Sequence, residues 1–327
     1  MPPKARLPLL VLGFISLAFG VAGGLARLTP MPVSINALAL HGPLMVSAFF
    51  GTVISLERAA ALDKRWTYAA PLCAGLAGVL LLSGFPGEGF ALMALGAAVL
   101  VTASIVVFSR QRSLEMATLL AGAAAWLMGN LGLLLGTAAV PWWIAFFALT
   151  IGGERLELSR YLKRGPWVRT AFMVLAAALL FAPLEPRLLG VALVLLALWL
   201  FAFDLARVTV RQARLPRYVA VCLLAGYFWL ALGGALIALS VAYDAALHAI
   251  FVGFVFSMVF GHAPVILPAV LRVSFPYHAV LYAPLIVLHA SLAVRVAVSV
   301  EIGAWGNAAA IALFIVTAAT LVLRRLM

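Results

Sequence analysis

Residues 41–58 read HGPLMVSAFFGTVISLER, opening on a histidine and closing on a Glu-Arg pair with apolar or small residues between. A second histidine, His248, follows Asp244 by four residues at the head of another apolar stretch. Two neutral imidazoles, one above and one below an iron, are what bis-histidine haem ligation needs. Gly42 leaves room beside His41 for a porphyrin face, and Pro43 stands close enough to a helix start to be tolerated. His289, in a third apolar stretch, is a candidate to replace one ligand or to support a second cofactor. Glu57, Glu154 and His262 form another set, and such groups held in an apolar setting suit proton transfer or a second metal. Each set also has a plainer reading. A lone histidine near an interface is often hydrogen-bonded to backbone or water, and Glu57-Arg58 and Glu154-Arg155 read as local ion pairs at helix ends.

The elements that position these residues are membrane helices. Of 327 residues, 66% are hydrophobic and 10% charged, which a soluble domain with polar outer faces could not carry. A spanning helix takes about 20 apolar residues. Such runs recur at roughly 7–26, 37–59, 67–85, 89–109, 114–136, 141–160, 168–184, 187–206, 217–240, 245–270, 277–298 and 302–323. The first run reads as a span and not as a cleaved leader. With the N-terminus cytoplasmic, all of the 22 basic residues except Arg27, Arg187 and Arg295 fall on the inner side, and both termini are cytoplasmic. The net charge of +12 follows from that topology and from attraction to anionic lipid, so nucleic acid is not an expected partner. The two cysteines, Cys73 and Cys222, read as core filling in different spans. The chain is one membrane domain, residues 1–327, placed in a bacterial inner membrane.

An internal repeat relates the two sets. The first, fifth and ninth spans each carry Gly-x6-Gly, at Gly13 and Gly20, Gly122 and Gly129, and Gly226 and Gly233. In the following spans FFGTVISLER (49–58) aligns without gaps to FFALTIGGER (146–155), and FVFSMVFGHA (254–263) puts His262 where the others have Glu57 and Glu154. The pattern predicts an all-α bundle of three four-helix pseudo-repeats, about 1–112, 113–212 and 213–327. Even-numbered spans run inward, so His41 and His248 share a depth near the outer leaflet, within two positions of equivalence. Glu57, sixteen residues on, is about 24 Å deeper along a helix, near the inner face. Asp244 reads as an N-cap, and Glu157 and Asp204 as interfacial. Arg27 and Arg295, on the outer side, are candidates to pair with haem propionates.

Twelve helices in three units, with a histidine heading the second and another in the tenth, resemble the haem-copper oxidase catalytic-subunit superfamily. His41-Gly-Pro-Leu-Met45 is similar to that group's His-Gly-x-x-Met around a low-spin haem ligand, and within the group the chain is most similar to NnrS-type proteins of the nitric oxide response. The resemblance implies a b-type haem held by His41 and His248, and a role in electron transfer with a redox partner or in binding a diatomic gas. It departs from the superfamily at copper, since residues 141–184 contain no histidine, so a complete copper site and oxygen reduction are not expected. Whether the protein is an enzyme is open on these residues. The rival reading is a cofactor-free, proton-coupled transporter or channel, in which Glu57 and His262 carry protons.

Overall fold

The structure, a computed structural model, describes residues 1–159, 162 and 165–323. Arg160, Lys163, Arg164, Arg324 and Arg325, which the charge count places on the inner side, lie outside the described residues. Among the described residues there is no strand. The helices run in order α1 (Pro3–Ala26), α2 (His41–Leu62), α3 (Arg65–Leu82), α4 (Pro86–Arg110), α5 (Leu114–Leu134), α6 (Val140–Ser159), α7 (Pro166–Leu184), α8 (Pro186–Phe203), α9 (Arg214–Ala238), α10 (Tyr243–Leu271), α11 (Ala279–Ala297) and α12 (Val300–Leu323). All but α6 are long and apolar enough to cross a membrane, eleven among the described residues. Helix α6 has 20 residues, but Glu154, Arg155 and Glu157 near its end make it the more polar element. Helices suit this chain because hydrocarbon offers backbone groups no partner, and an α-helix satisfies them within one segment. Ends are closed locally. The Ser113 hydroxyl accepts from Met116 N at the head of α5, and the Glu185 carboxylate accepts from Leu188 N at the head of α8.

The chain divides into two compact units. The first holds Met1–Phe146 with Ala269–Arg272, and the second holds Phe147–Pro268 with Val273–Met327. In the first, α1 packs on α2 and α3, and α4 lies between α3 and α5. In the second, α8 lies between α7 and α9, α9 packs on α10, and α11 packs on α10 and α12.

Gly13, Gly20, Gly129, Gly226 and Gly233 are points of helix contact. An added methyl at Gly13 would meet Thr52 and lie 3.8 Å from the Phe49 carbonyl oxygen, and one at Gly20 would press on Leu44 and Met45. In the second unit, Gly226 stands in the same way against Phe254, its Cβ position 3.3 Å from that carbonyl oxygen, and Gly233 faces Ala246 and Ile250. Gly129 faces Trp143 and the Ala139 carbonyl. A side chain at these places would hold the helices apart where close packing supplies the attraction that lipid does not.

Two of the helices contain a π-helical stretch. Residues Leu44–Phe50 of α2 and Ala249–Phe256 of α10 are π-helical, so each helix is widened just after its histidine. Such segments are rare and concentrate at functional sites. The widened turn of α2 also carries a buried polar network. The Ser47 hydroxyl donates to Asn130 Oδ1 at 2.5 Å and accepts from Trp126 Nε1 at 3.1 Å. Trp143 Nε1 donates to the same Asn130 oxygen, and Asn130 Nδ2 donates to the Met93 carbonyl. Each of these polar groups is satisfied, which is the condition for a buried network to specify one packing.

Gly51 sits where this network meets α2, and a Cβ there would collide with the fully buried Trp126 indole. Gly51→Val is expected to cost about 1–3 kcal/mol through overpacking. The check is the thermal midpoint of the detergent-solubilised protein. An unchanged midpoint would mean that Trp126 is not held against α2.

Candidate functional site

His41 opens α2 and sits in a notch on α1. Its Nδ1 donates to the Gly20 carbonyl oxygen at 2.6 Å, and its ring lies so close to Gly24 that a Cβ there would come within 2.8 Å of Cε1. A carbonyl oxygen can only accept, so Nδ1 carries the proton and the lone pair of the neutral ring is on Nε2. The segment that delivers His41 is tied down as well. Arg27, just past α1, donates from Nε to the Leu38 carbonyl at 2.8 Å and from an Nη to the Ala39 carbonyl at 3.0 Å. Gly42 has open space beside it, with Trp143 the nearest atom to its Cβ position at 3.9 Å.

His248, on the first turns of α10, repeats the chemistry within the second unit. Its Nδ1 donates to the Asp244 carbonyl oxygen at 2.7 Å, which again leaves the lone pair on Nε2. The Asp244 carboxylate lies 3.3 Å from the same nitrogen through Oδ1, and its Oδ2 accepts from a buried Arg295 Nη at 3.0 Å. Asp244 is therefore the link between His248 and Arg295. The helix start is capped differently from the N-cap expected at Asp244. The N-cap residue is Ala242 in a left-handed conformation, and Asp244 stands in the first turn.

His289 is held on both sides. Trp229 Nε1 donates to its Nδ1 at 2.9 Å with the two rings stacked 9° from parallel, and its Nε2 lies 3.4 Å from the Ser257 hydroxyl, which donates to the Cys222 carbonyl. Since an indole N–H can only donate, the His289 proton is on Nε2, the opposite tautomer from His41 and His248.

His262 belongs to a buried charge cluster in the second unit. Arg155, on α6, donates from Nε to Asp204 Oδ2 at 2.7 Å, and its Nη1 lies 3.4 Å from His262 Nε2. Asp204, next after α8, is fully buried and its Oδ1 accepts from Ala206 N at 2.5 Å. His262 Nδ1 donates to the Met258 carbonyl at 2.7 Å. Asp204 is buried within the protein, and Arg155 finds in it a carboxylate remote in the chain, which the burial of a guanidinium demands in good geometry. Glu154 acts electrostatically on both Arg155 and His262. Glu57 stands half-buried on α2 in the first unit. Among the described residues no three His, Cys, Asp or Glu side chains converge as a metal site. Sequence reasoning missed Asp204, Tyr227 and the link through Asp244, whose partners are remote in the chain.

The chain matches a family described as a domain of unknown function, DUF8744, over residues 6–323. No curated protein and no solved structure matches it.

Proposed function

The chain belongs to the DUF8744 family, and we propose that it is a haem-binding membrane protein whose axial-ligand residues are His41 and His248. The observation that carries this reading is the shared state of the two rings, each with Nδ1–H on a carbonyl oxygen and Nε2 left as the basic nitrogen. Iron-ligating histidines need that tautomer, and the second-shell bond fixes ring orientation and raises ligand basicity. His289 is tied in the other tautomer and is assigned to packing. Arg27 and Arg295 are positioning residues in this reading, one holding the backbone before His41 and the other holding Asp244. The widened turns after both histidines, and the like contacts of Gly13 with Phe49 and Gly226 with Phe254, support the pseudo-repeat that makes the histidines equivalent.

When bound, the haem would supply one-electron exchange or a coordination place for a diatomic gas such as nitric oxide. Held by the His41 and His248 imidazoles, the group would favour electron transfer, in a bacterial inner membrane with both termini cytoplasmic. The test is the absorption spectrum of detergent-purified protein from haem-replete cells, oxidised and dithionite-reduced. A colourless protein that takes up no added haem overturns the reading, and the proton-coupled transporter, favoured by the buried Arg155–Asp204–His262 cluster, then leads.

Asp244 offers a finer check. Asp244→Ala removes the carboxylate beside His248 Nδ1 and the partner of Arg295, while the ligand nitrogen stays. Haem affinity is expected to fall by about 10–100-fold, as second-shell losses do, in titrations of added haem. Undiminished affinity would show that Asp244 does not orient the ring.

A further inference from the structure

We propose that Gly24 is a positioning residue for His41. By carrying no side chain it leaves the imidazole the room in which Nδ1–H reaches the Gly20 carbonyl, and so fixes the tautomer and the direction of Nε2. The consequence for iron rests on the proposed haem-binding function. The seating of the ring does not, since it can be observed with no haem added.

Gly20 and Gly24 stand one turn apart on one face of α1. The first supplies the acceptor, 2.6 Å from Nδ1, and the second supplies the space. The three atoms nearest to a Cβ built on Gly24 all belong to the ring, Cε1 at 2.8 Å, Nδ1 at 2.9 Å and Nε2 at 3.4 Å. Non-bonded carbon atoms rest at about 3.5–4.0 Å, so a methyl and the ring cannot share this place. Of the two, the ring is the part that yields, because it is the end of a side chain and turns about its own torsions while the helices stay. Gly24 and the Gly20 oxygen are on the same helix, so a ring pushed off one is carried away from the other.

The neighbouring glycine acts differently. A Cβ on Gly23 would run into the Ala37 carbonyl and approach Leu38 N, which are backbone and have no rotamer to change. Gly23 therefore sets how closely the segment before His41 lies on α1, whereas Gly24 sets the ring itself. His248 is fixed by other means. Its Nδ1 donates to the Asp244 carbonyl four residues back on its own helix, so its tautomer is set within α10. The chain thus carries its own reference ring.

The test is nitrogen NMR of the full chain in detergent, with isotope-labelled histidine and no haem added. It is run at about pH 9, above the ordinary imidazole pKa of about 6.5. His41→Gln and His248→Gln identify the two sets of signals. Wild type should show His41 only as the Nδ1–H tautomer. Gly24→Ala should bring in the Nε2–H form of His41 and leave His248 unchanged, which a general loosening of the fold would not do. Added haem should then bind about 10–100-fold more weakly than to wild type. A His41 that keeps the Nδ1–H form in Gly24→Ala overturns the proposal. Mixed tautomers beside a wild type that takes up no haem, or beside an unchanged haem affinity, uphold the role of Gly24 and overturn His41 as an iron ligand. If Gly24→Ala does not fold, wild type decides. Carbonyl-labelled glycine should show a carbon–nitrogen dipolar coupling to His41 Nδ1, and its absence overturns the proposal.

Discussion

On the proposed haem-binding reading, His41→Ala and His248→Ala are each expected to abolish the sharp reduced α-band of the dithionite-treated protein, a loss of essentially all low-spin haem. Each ring presents Nε2 as its basic nitrogen because Nδ1 is committed to a carbonyl, Gly20 for His41 and Asp244 for His248. Alanine offers iron no ligand, and a low-spin centre needs strong ligands at both axial positions. Loss of the band in both variants establishes bis-histidine ligation and places electron transfer first. Loss in one variant, with a high-spin spectrum in the other, leaves an open coordination place and moves the function towards gas binding. A band surviving both changes moves the iron away from these residues. His289→Ala serves as the comparison. Its ring is held by Trp229 and Ser257 in the other tautomer, so it should lower stability and leave the band in place.

The parts of this molecule that were legible in the sequence are those set by the solvent and by local contact. Hydrocarbon forces long apolar helices, and the expected run at 245–270 became Tyr243–Leu271. Gly-x6-Gly was legible because glycine marks the places where helices touch, and Gly13, Gly20, Gly226 and Gly233 do meet the following helix. Helix α6 shows the limit, since Arg155, buried and paired with Asp204, counts against the helix in any tally of apolar length. Asp204 shows it more sharply. It directly follows Phe203, at a helix end where a carboxylate is expected to face water, and its burial depends on Arg155, 49 residues earlier. The His289–Trp229 bond spans 60 residues and leaves no periodic trace. The tautomer of His41 was invisible for the same reason, since it depends on a carbonyl that is 21 residues away.

Asp204→Ala should be the most destabilising single change within the second unit. The carboxylate is fully buried, accepts from Arg155 Nε and from Ala206 N, and is the close counter-ion of a guanidinium that is itself 4% exposed. Taking it away leaves a cation that cannot lose its proton in a place that water does not reach. Breaking a buried pair in this way costs about 3–5 kcal/mol, chiefly the desolvation of the stranded charge. Arg155→Met/Asp204→Leu removes both charges and should recover most of that loss, since apolar replacements for a buried pair are often close to neutral in stability. The measurement is a double-mutant cycle on the unfolding midpoint in detergent, with Arg155→Met and Asp204→Leu as the single changes. A large coupling with a stable double variant means that the pair is retained for something other than stability. A double variant as unstable as Asp204→Ala would make the pair the fastening of α6 to the end of α8.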